Sequence, residues 1–132
     1  MGDGIVEKVL GIGGFFWRSH DPKGLGKWYE EHLGIPREAE SYDALPWVQD
    51  AGTTIFVPFR QDTTYFAVDK QWMINFRVRN LAAMVAQLAA KGVGVEVDPE
   101  HYPNGWFATL KDPEGNTIQL WEEEPYTPPS AS

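Results

Sequence analysis

The amino-acid sequence predicts an α+β domain built from two copies of a strand–helix–strands module that together enclose a pocket. Three observations carry this. The chain has 132 residues, the length of one domain. Two apolar helical stripes each follow an apolar strand. The pattern of the first half then returns in the second at a nearly constant offset.

Val9 to Ser19 reads as a strand that runs into Asp21-Pro22, an N-cap followed by proline at the first helical position. Leu25, Trp28, Tyr29 and Leu33 recur at helical spacing and form one apolar stripe; Lys27 and Glu31 sit four apart on the outside, and Gly34 supplies a left-handed stop. Gly24 and Gly26 each weaken this helix by about 1 kcal/mol relative to alanine, so tertiary packing has to hold it. Trp47-Val48-Gln49, a tight turn at Asp50-Ala51-Gly52 and the β-rich run Thr53 to Phe59 predict a hairpin. The polar stretch Gln61 to Lys70 connects the halves.

The second half opens with a strand over Met73 to Val78. Asn80 is the expected N-cap of a helix whose stripe is Leu81, Met84, Val85 and Leu88, and Gly92 ends it. A strand over Val93 to Val97 follows. Gly105 to Leu110, a turn over Lys111 to Gly115, and Asn116 to Glu122 then form a last hairpin. The halves align at three places in the same order: the stop glycines Gly34 and Gly92 differ by 58, the strands before the helices by 59, and Gly52-Thr53-Thr54-Ile55 matches Gly115-Asn116-Thr117-Ile118 at 63. Loop insertions produce such drift, so duplication is the preferred reading. It gives one domain over 1–132: module one at about 5–60, a connection over 61–71, module two at about 72–124, and a loose tail over 125–132.

A net charge of −8 and a pI near 4.7 disfavour phosphate backbones and anionic lipid as partners, so neither nucleic acid nor membrane is expected. With no cysteine, no basic leader and no long apolar run, a cytoplasmic protein is the expectation. Six tryptophans and an aromatic content of 14% have to line a core or a binding surface.

Two stretches resemble the vicinal oxygen chelate superfamily, which includes glyoxalase I, bleomycin-resistance proteins and extradiol dioxygenases. Asp21-Pro22 through Trp28-Tyr29 to Leu33-Gly34-Ile35 is similar to that family's segment running from Asp to Phe-Tyr to Leu-Gly, and Lys111-Asp112-Pro113-Glu114-Gly115-Asn116-Thr117-Ile118 to its Asp-Pro-x-Gly-Asn ending. The resemblance covers about Val9 to Glu123. It implies two tandem βαβββ modules forming a U-shaped mixed sheet around a cavity, with the helices outside, and a homodimer.

It also implies metal-ligand positions on the first and last strands of each module, which fall here on Gly14, Phe56, Met73 and Gln119. Divalent metals in such sites take carboxylate oxygen or imidazole nitrogen. Glycine has no side chain, phenylalanine no lone pair, and a thioether is soft. Gln119 alone can coordinate, and its amide is uncharged. The expectation is therefore no metal and no cofactor.

Strand alternation, with Ile74, Phe76 and Val78 toward the helix, turns Met73, Asn75 and Arg77 into the cavity. The corresponding sets are Gly14, Phe16 and Arg18 on the first strand and Thr117, Gln119 and Trp121 on the last. Phe16, Phe56 and Trp121 would then be apolar walls, and Arg18, Arg77, Asn75 and Gln119 polar groups. Such a mixture suits a hydrophobic or aromatic ligand carrying an anionic or carbonyl group. The structural alternatives are that the arginines pair with acids such as Glu122, the amides satisfy backbone groups, and the aromatics are core.

No two of His20, His32 and His101 are spaced as ligands on one element. His101 is the histidine of interest, because its loop could close over the pocket beside Trp106. His101 and Glu122 are the weak catalytic candidates, as single general bases. The expected function is a small-molecule binding protein of the glyoxalase and bleomycin-resistance type. The alternative is a metal-dependent lyase, isomerase or dioxygenase resembling glyoxalase I.

Overall fold

The computed structural model describes residue 4, residues 6–36 and residues 47–124. The described elements are α1 (Pro22–Leu33), β1 (Ile74–Arg77), α2 (Leu81–Ala90), β2 (Glu96–Val97), β3 (Gly105–Lys111) and β4 (Thr117–Glu123). The tail over 125–132 lies outside the described residues.

Both helices begin and end as their residue patterns require. The Asp21 carboxylate accepts the Gly24 N–H at 3.1 Å, Pro22 opens α1, and Gly34 closes it at φ 72°. The Asn80 side chain accepts the Ala83 N–H at 3.0 Å at the start of α2. Beyond its last turn Gly92, at φ 79°, lets Val93 N–H return to the Leu88 carbonyl.

The strands form one mixed sheet in the order β1-β4-β3-β2, with β1 parallel to β4 and the other pairs antiparallel. Residues 74–123 thus make a complete βαβββ unit. Ile118 and Leu120 of β4, Ala108 and Leu110 of β3, and Leu81 and Leu88 of α2 form its buried core, with Ile74 and Phe76 packed alongside. Helix α1 joins the same core through Leu25 and Tyr29, so both helices cover one face of the sheet. Among the described residues the other face carries no helix.

The expected eight-stranded U is not present among the described residues; the sheet has four strands. The predicted strand over 9–19 and the hairpin over 47–59 carry no ladder. A strand exists only where a neighbour takes its N–H and C=O groups, and no described segment forms a ladder with these two. Most of their side chains are open to solvent, as Leu10 and Phe16 show, while Trp17 packs against the core. The strand expected over 93–97 contracts to Glu96–Val97.

The two stretches that carried the family resemblance meet in space. Tyr29 Oη donates to Asp112 Oδ2 at 2.7 Å in the buried interior. Asp112 also accepts the N–H of Glu114 at 2.8 Å, the N–H of Asn116 at 3.0 Å and the Asn116 amide at 2.8 Å. One carboxylate therefore folds the β3–β4 turn and fastens α1 to it. Burial, reinforced by the bond to Asp112, pushes the Tyr29 phenol far above its ordinary value. Glu114, in the same turn, accepts the Ser19 hydroxyl at 2.7 Å and the His20 N–H at 3.2 Å. These bonds, that of Ser19 foremost, hold its carboxyl below the usual range.

Candidate functional site

Cross-strand register places Asn75, Arg77, Phe107, Thr109, Thr117, Gln119 and Trp121 on the face that no helix of the described residues covers. Arg77 stands opposite Trp121, and Trp121 opposite Phe107; Asn75 stands opposite Gln119, and Gln119 opposite Thr109. The face therefore has an aromatic row and, beside it, a polar row.

The aromatic row is fixed at several points. The Phe107 and Trp121 rings are parallel within 3°, with centroids 6.0 Å apart. Tyr102 meets Phe107 edge-on at 5.8 Å. Trp121 Nε1 donates to the Asn104 carbonyl at 2.7 Å, which leaves this buried indole no unmet donor. Asn104 sits in the turn where Tyr102 and Gly105 exchange two backbone hydrogen bonds. Gly105 has φ 132°, and a Cβ there would lie 2.1 Å from the Glu122 carbonyl oxygen, so only glycine fits. The Tyr102 hydroxyl donates to Asp98 Oδ2 at 2.8 Å, and this bond pushes its pKa up to about 12.

In the polar row Asn75 Nδ2 donates to Gln119 Oε1 at 2.8 Å. That leaves one Asn75 amide hydrogen and both of Gln119 to serve an acceptor on a ligand.

The predicted site residues divide. Asn75, Arg77, Gln119 and Trp121 stand together on this face, with Trp121 itself buried. Met73 is half-buried just before β1. Phe16 and Phe56 are 91% and 86% exposed, and Arg18 is exposed, so these three line no wall among the described residues. Trp106 belongs to the helix-covered side and packs against the core. Phe107, Thr109 and Tyr102 were not foreseen. Alternation along β3 about Ala108 and Leu110 was the signal that places the first two.

His101 and Glu122 are engaged in the scaffold. The His101 ring stacks on Trp106 at 3.8 Å and 1°, and Nε2 lies 2.8 Å from Glu124 Oε2. Glu122 accepts the Leu81 N–H at 2.7 Å and so serves the start of α2, not an arginine. Grooves of about 750 and 410 Å³ lie on either side of Trp28; neither reaches Asn75, Gln119, Phe107 or Trp121.

The residues at the family's metal positions do not fit a metal. Gly14 and Phe56 offer no donor, Met73 offers a thioether, and the Gln119 amide oxygen is taken by Asn75. Among the described residues no three His, Cys, Asp or Glu side chains gather as ligands.

A family model described as a glyoxalase-like domain matches residues 15–121. The chain belongs to that family. With it comes the vicinal oxygen chelate superfamily that the two stretches resemble. No curated protein matches the sequence. TnmS3, an antibiotic binding protein from Streptomyces sp. CB03234, is similar over 79% of this chain and 88% of its own, at 22% identity and a TM-score of 0.53, a likeness of fold. A glyoxalase/bleomycin resistance protein from Streptomyces sp. CB03234 is 35% identical over 37% of this chain, at a TM-score of 0.34. A glyoxylase/bleomycin resistance protein/dioxygenase domain from Frankia sp. EAN1pec is 18% identical over 50% of this chain, at a TM-score of 0.33. The match spans 42% of the former structure's chain and 50% of the latter's. No helix among the described residues of this glyoxalase-like chain is long and apolar enough to cross a membrane.

Proposed function

We propose that this glyoxalase-like protein binds a hydrophobic or aromatic small molecule on the open face of the sheet, with the ligand's carbonyl or anionic group on the Asn75–Gln119 amides. One observation carries the reading: an aromatic row and a row of unspent amide donors run side by side on a face that no helix among the described residues covers. That the similarly folded TnmS3 is an antibiotic binding protein supports a small-molecule ligand. The donor set at the family's metal positions favours binding over metal-assisted chemistry.

The energetics call for a second wall. A two-ring ligand lying on one face buries roughly 150–250 Å² of apolar surface, and at about 25 cal/mol per Å² that contributes about 4–6 kcal/mol. The loss of translational and rotational freedom costs about 4 kcal/mol or more. Useful affinity therefore requires that something close over the ligand. The exposed apolar side chains over 6–16 and 53–57 are suited to that, within one chain or, as we propose, in a homodimer.

Naphthoate and its uncharged relative acetonaphthone test the site by tryptophan fluorescence and thermal shift. Both should raise the melting temperature in a concentration-dependent way. Phe107→Ala should weaken both by about tenfold or more, and Gln119→Ala should weaken them by less. No stabilisation of the wild type by either probe at millimolar concentration would refute the reading.

A further inference from the structure

Arg77 is a cation of this face, as is Lys111 opposite Thr117, yet its guanidinium is turned to the main chain. Nη2 donates to the Asp50 carbonyl at 2.7 Å and Nη1 to the Ala51 carbonyl at 3.4 Å. Gly52 leaves room for the contact: a Cβ there would lie 1.9 Å from Nη1, so any larger residue would make the flexible guanidinium end shift away from this turn. The residues on either side of the turn are exposed, Val48 at 84% and Ile55 at 64%, and they carry no strand ladder.

A second contact mirrors the first. The turn Asp50-Ala51-Gly52 corresponds at the sequence offset of 63 to Pro113-Glu114-Gly115, and the end of β1 corresponds at 59 to Arg18-Ser19-His20. Ser19 and His20 hold Glu114 in that second turn. The segment before each helix thus holds a turn of the other half of the sequence.

We propose that Arg77 is a positioning residue: it latches the segment 47–59 at one end of the open face through the Asp50–Gly52 turn. Access of the ligand to the aromatic row, and its residence there, then depend on that latch and not on charge pairing with Arg77. The inference rests on the open face being the ligand site.

The chain has no cysteine, so spin labels can be placed at will. In the ligand-free full chain, labels at Val48→Cys and Lys111→Cys report the distance between the segment and the sheet by dipolar spectroscopy. The latch predicts one narrow distribution in the parent and a broadened, longer one in both Arg77→Ala and Gly52→Ala, with Arg77→Lys between. Unchanged distributions in Arg77→Ala and Gly52→Ala overturn the latch, whatever binds.

The two probes supply the second arm. Gly52→Ala changes no charge, yet with Arg77→Ala it should weaken naphthoate and acetonaphthone by the same factor, about tenfold for a lost hydrogen bond to a charged group. Selective loss of naphthoate in Arg77→Ala, with acetonaphthone unaffected, makes Arg77 an anion clamp and overturns the proposal. If neither probe binds the parent, the ligand-site reading fails, and the label distances still decide whether Arg77 holds the turn.

Discussion

Replacing Tyr29 by phenylalanine removes one atom from the bond that ties α1 to the β3–β4 turn. The hydroxyl donates to a buried carboxylate at 2.7 Å, and hydrogen bonds to charged groups contribute about 1.5–3 kcal/mol. Asp112 keeps its other three donors, two backbone N–H groups and the Asn116 amide, so it is not orphaned. The loss should therefore fall at the lower end, about 1.5–2 kcal/mol, or roughly 5–10 °C in melting temperature for a domain of this size. Urea unfolding followed by tryptophan fluorescence measures it as a lower midpoint at unchanged slope. The pH dependence gives a second check. The folded-state phenol titrates above its unfolded value of about 10, so the stabilisation is complete below that pH and declines as pH rises beyond it. The gap between parent and Tyr29→Phe should thus be constant at neutral pH and shrink above about pH 10. A difference below about 0.5 kcal/mol at neutral pH would show that the clasp does not hold α1 in place, and the account of the family signature given above would fall with it.

Other outcomes follow from the same geometry. Gly105→Ala places a Cβ against the Glu122 carbonyl at a positive φ and should cost about 2 kcal/mol or more, read by urea unfolding, while Gly115→Ala, which has positive φ but open space, should cost less. Glu114→Gln should flatten the acid limb of the stability profile: its carboxyl is held low by Ser19 and His20, so its contribution is present above the ordinary carboxylate pKa and disappears as pH falls through the lowered one. Glu122→Ala leaves the Leu81 N–H without its acceptor and should lower stability by about 1 kcal/mol, whereas a general base at this position would instead show as a lost reaction at unchanged stability. Tyr102→Phe frees Asp98 and should remove the part of the alkaline transition between about pH 10 and 12, because the stabilisation from a raised phenol pKa is present below its unfolded value and lost above it.

What could be read from residues alone was whatever local chemistry decides. Asp21, Gly34, Asn80 and Gly92 mark the helix ends because caps and left-handed stops act within one turn. Ile118 and Leu120 against Thr117, Gln119 and Trp121 were assigned to faces by pleat alone. The first half was not legible in this way. Residues 9–19 and 53–59 have strand composition, but composition supplies no partner, and a ladder needs one. Arg77 escaped for another reason: a cation in a candidate cavity suggests an anion, yet two main-chain carbonyls 26 and 27 residues away took its donors. Carbonyls are invisible to any reading of side-chain chemistry. Trp106 was misplaced relative to the cavity by association with its neighbour His101, although its alternation with Phe107 already put it on the helix side.

The position of the signature residues bears on how far family membership reaches. Tyr29, Asp112 and Asn116 are all spent on one another in a buried clasp, and Asp21 and Gly34 on the ends of α1. None of them stands on the open face. These five signature residues are thus scaffold. The face is made of other residues: the Asn75–Gln119 amides, an aromatic row, and an arginine that grips the main chain. A scaffold held by one set of residues and a face composed of another can change ligand without changing fold. It follows that substitutions at Tyr29 or Asp112 should alter stability with little effect on which of the two probes binds better. Substitutions at Phe107 or Gln119 should instead weaken both probes, and a variant of the clasp that switched probe preference would show that scaffold and face are coupled.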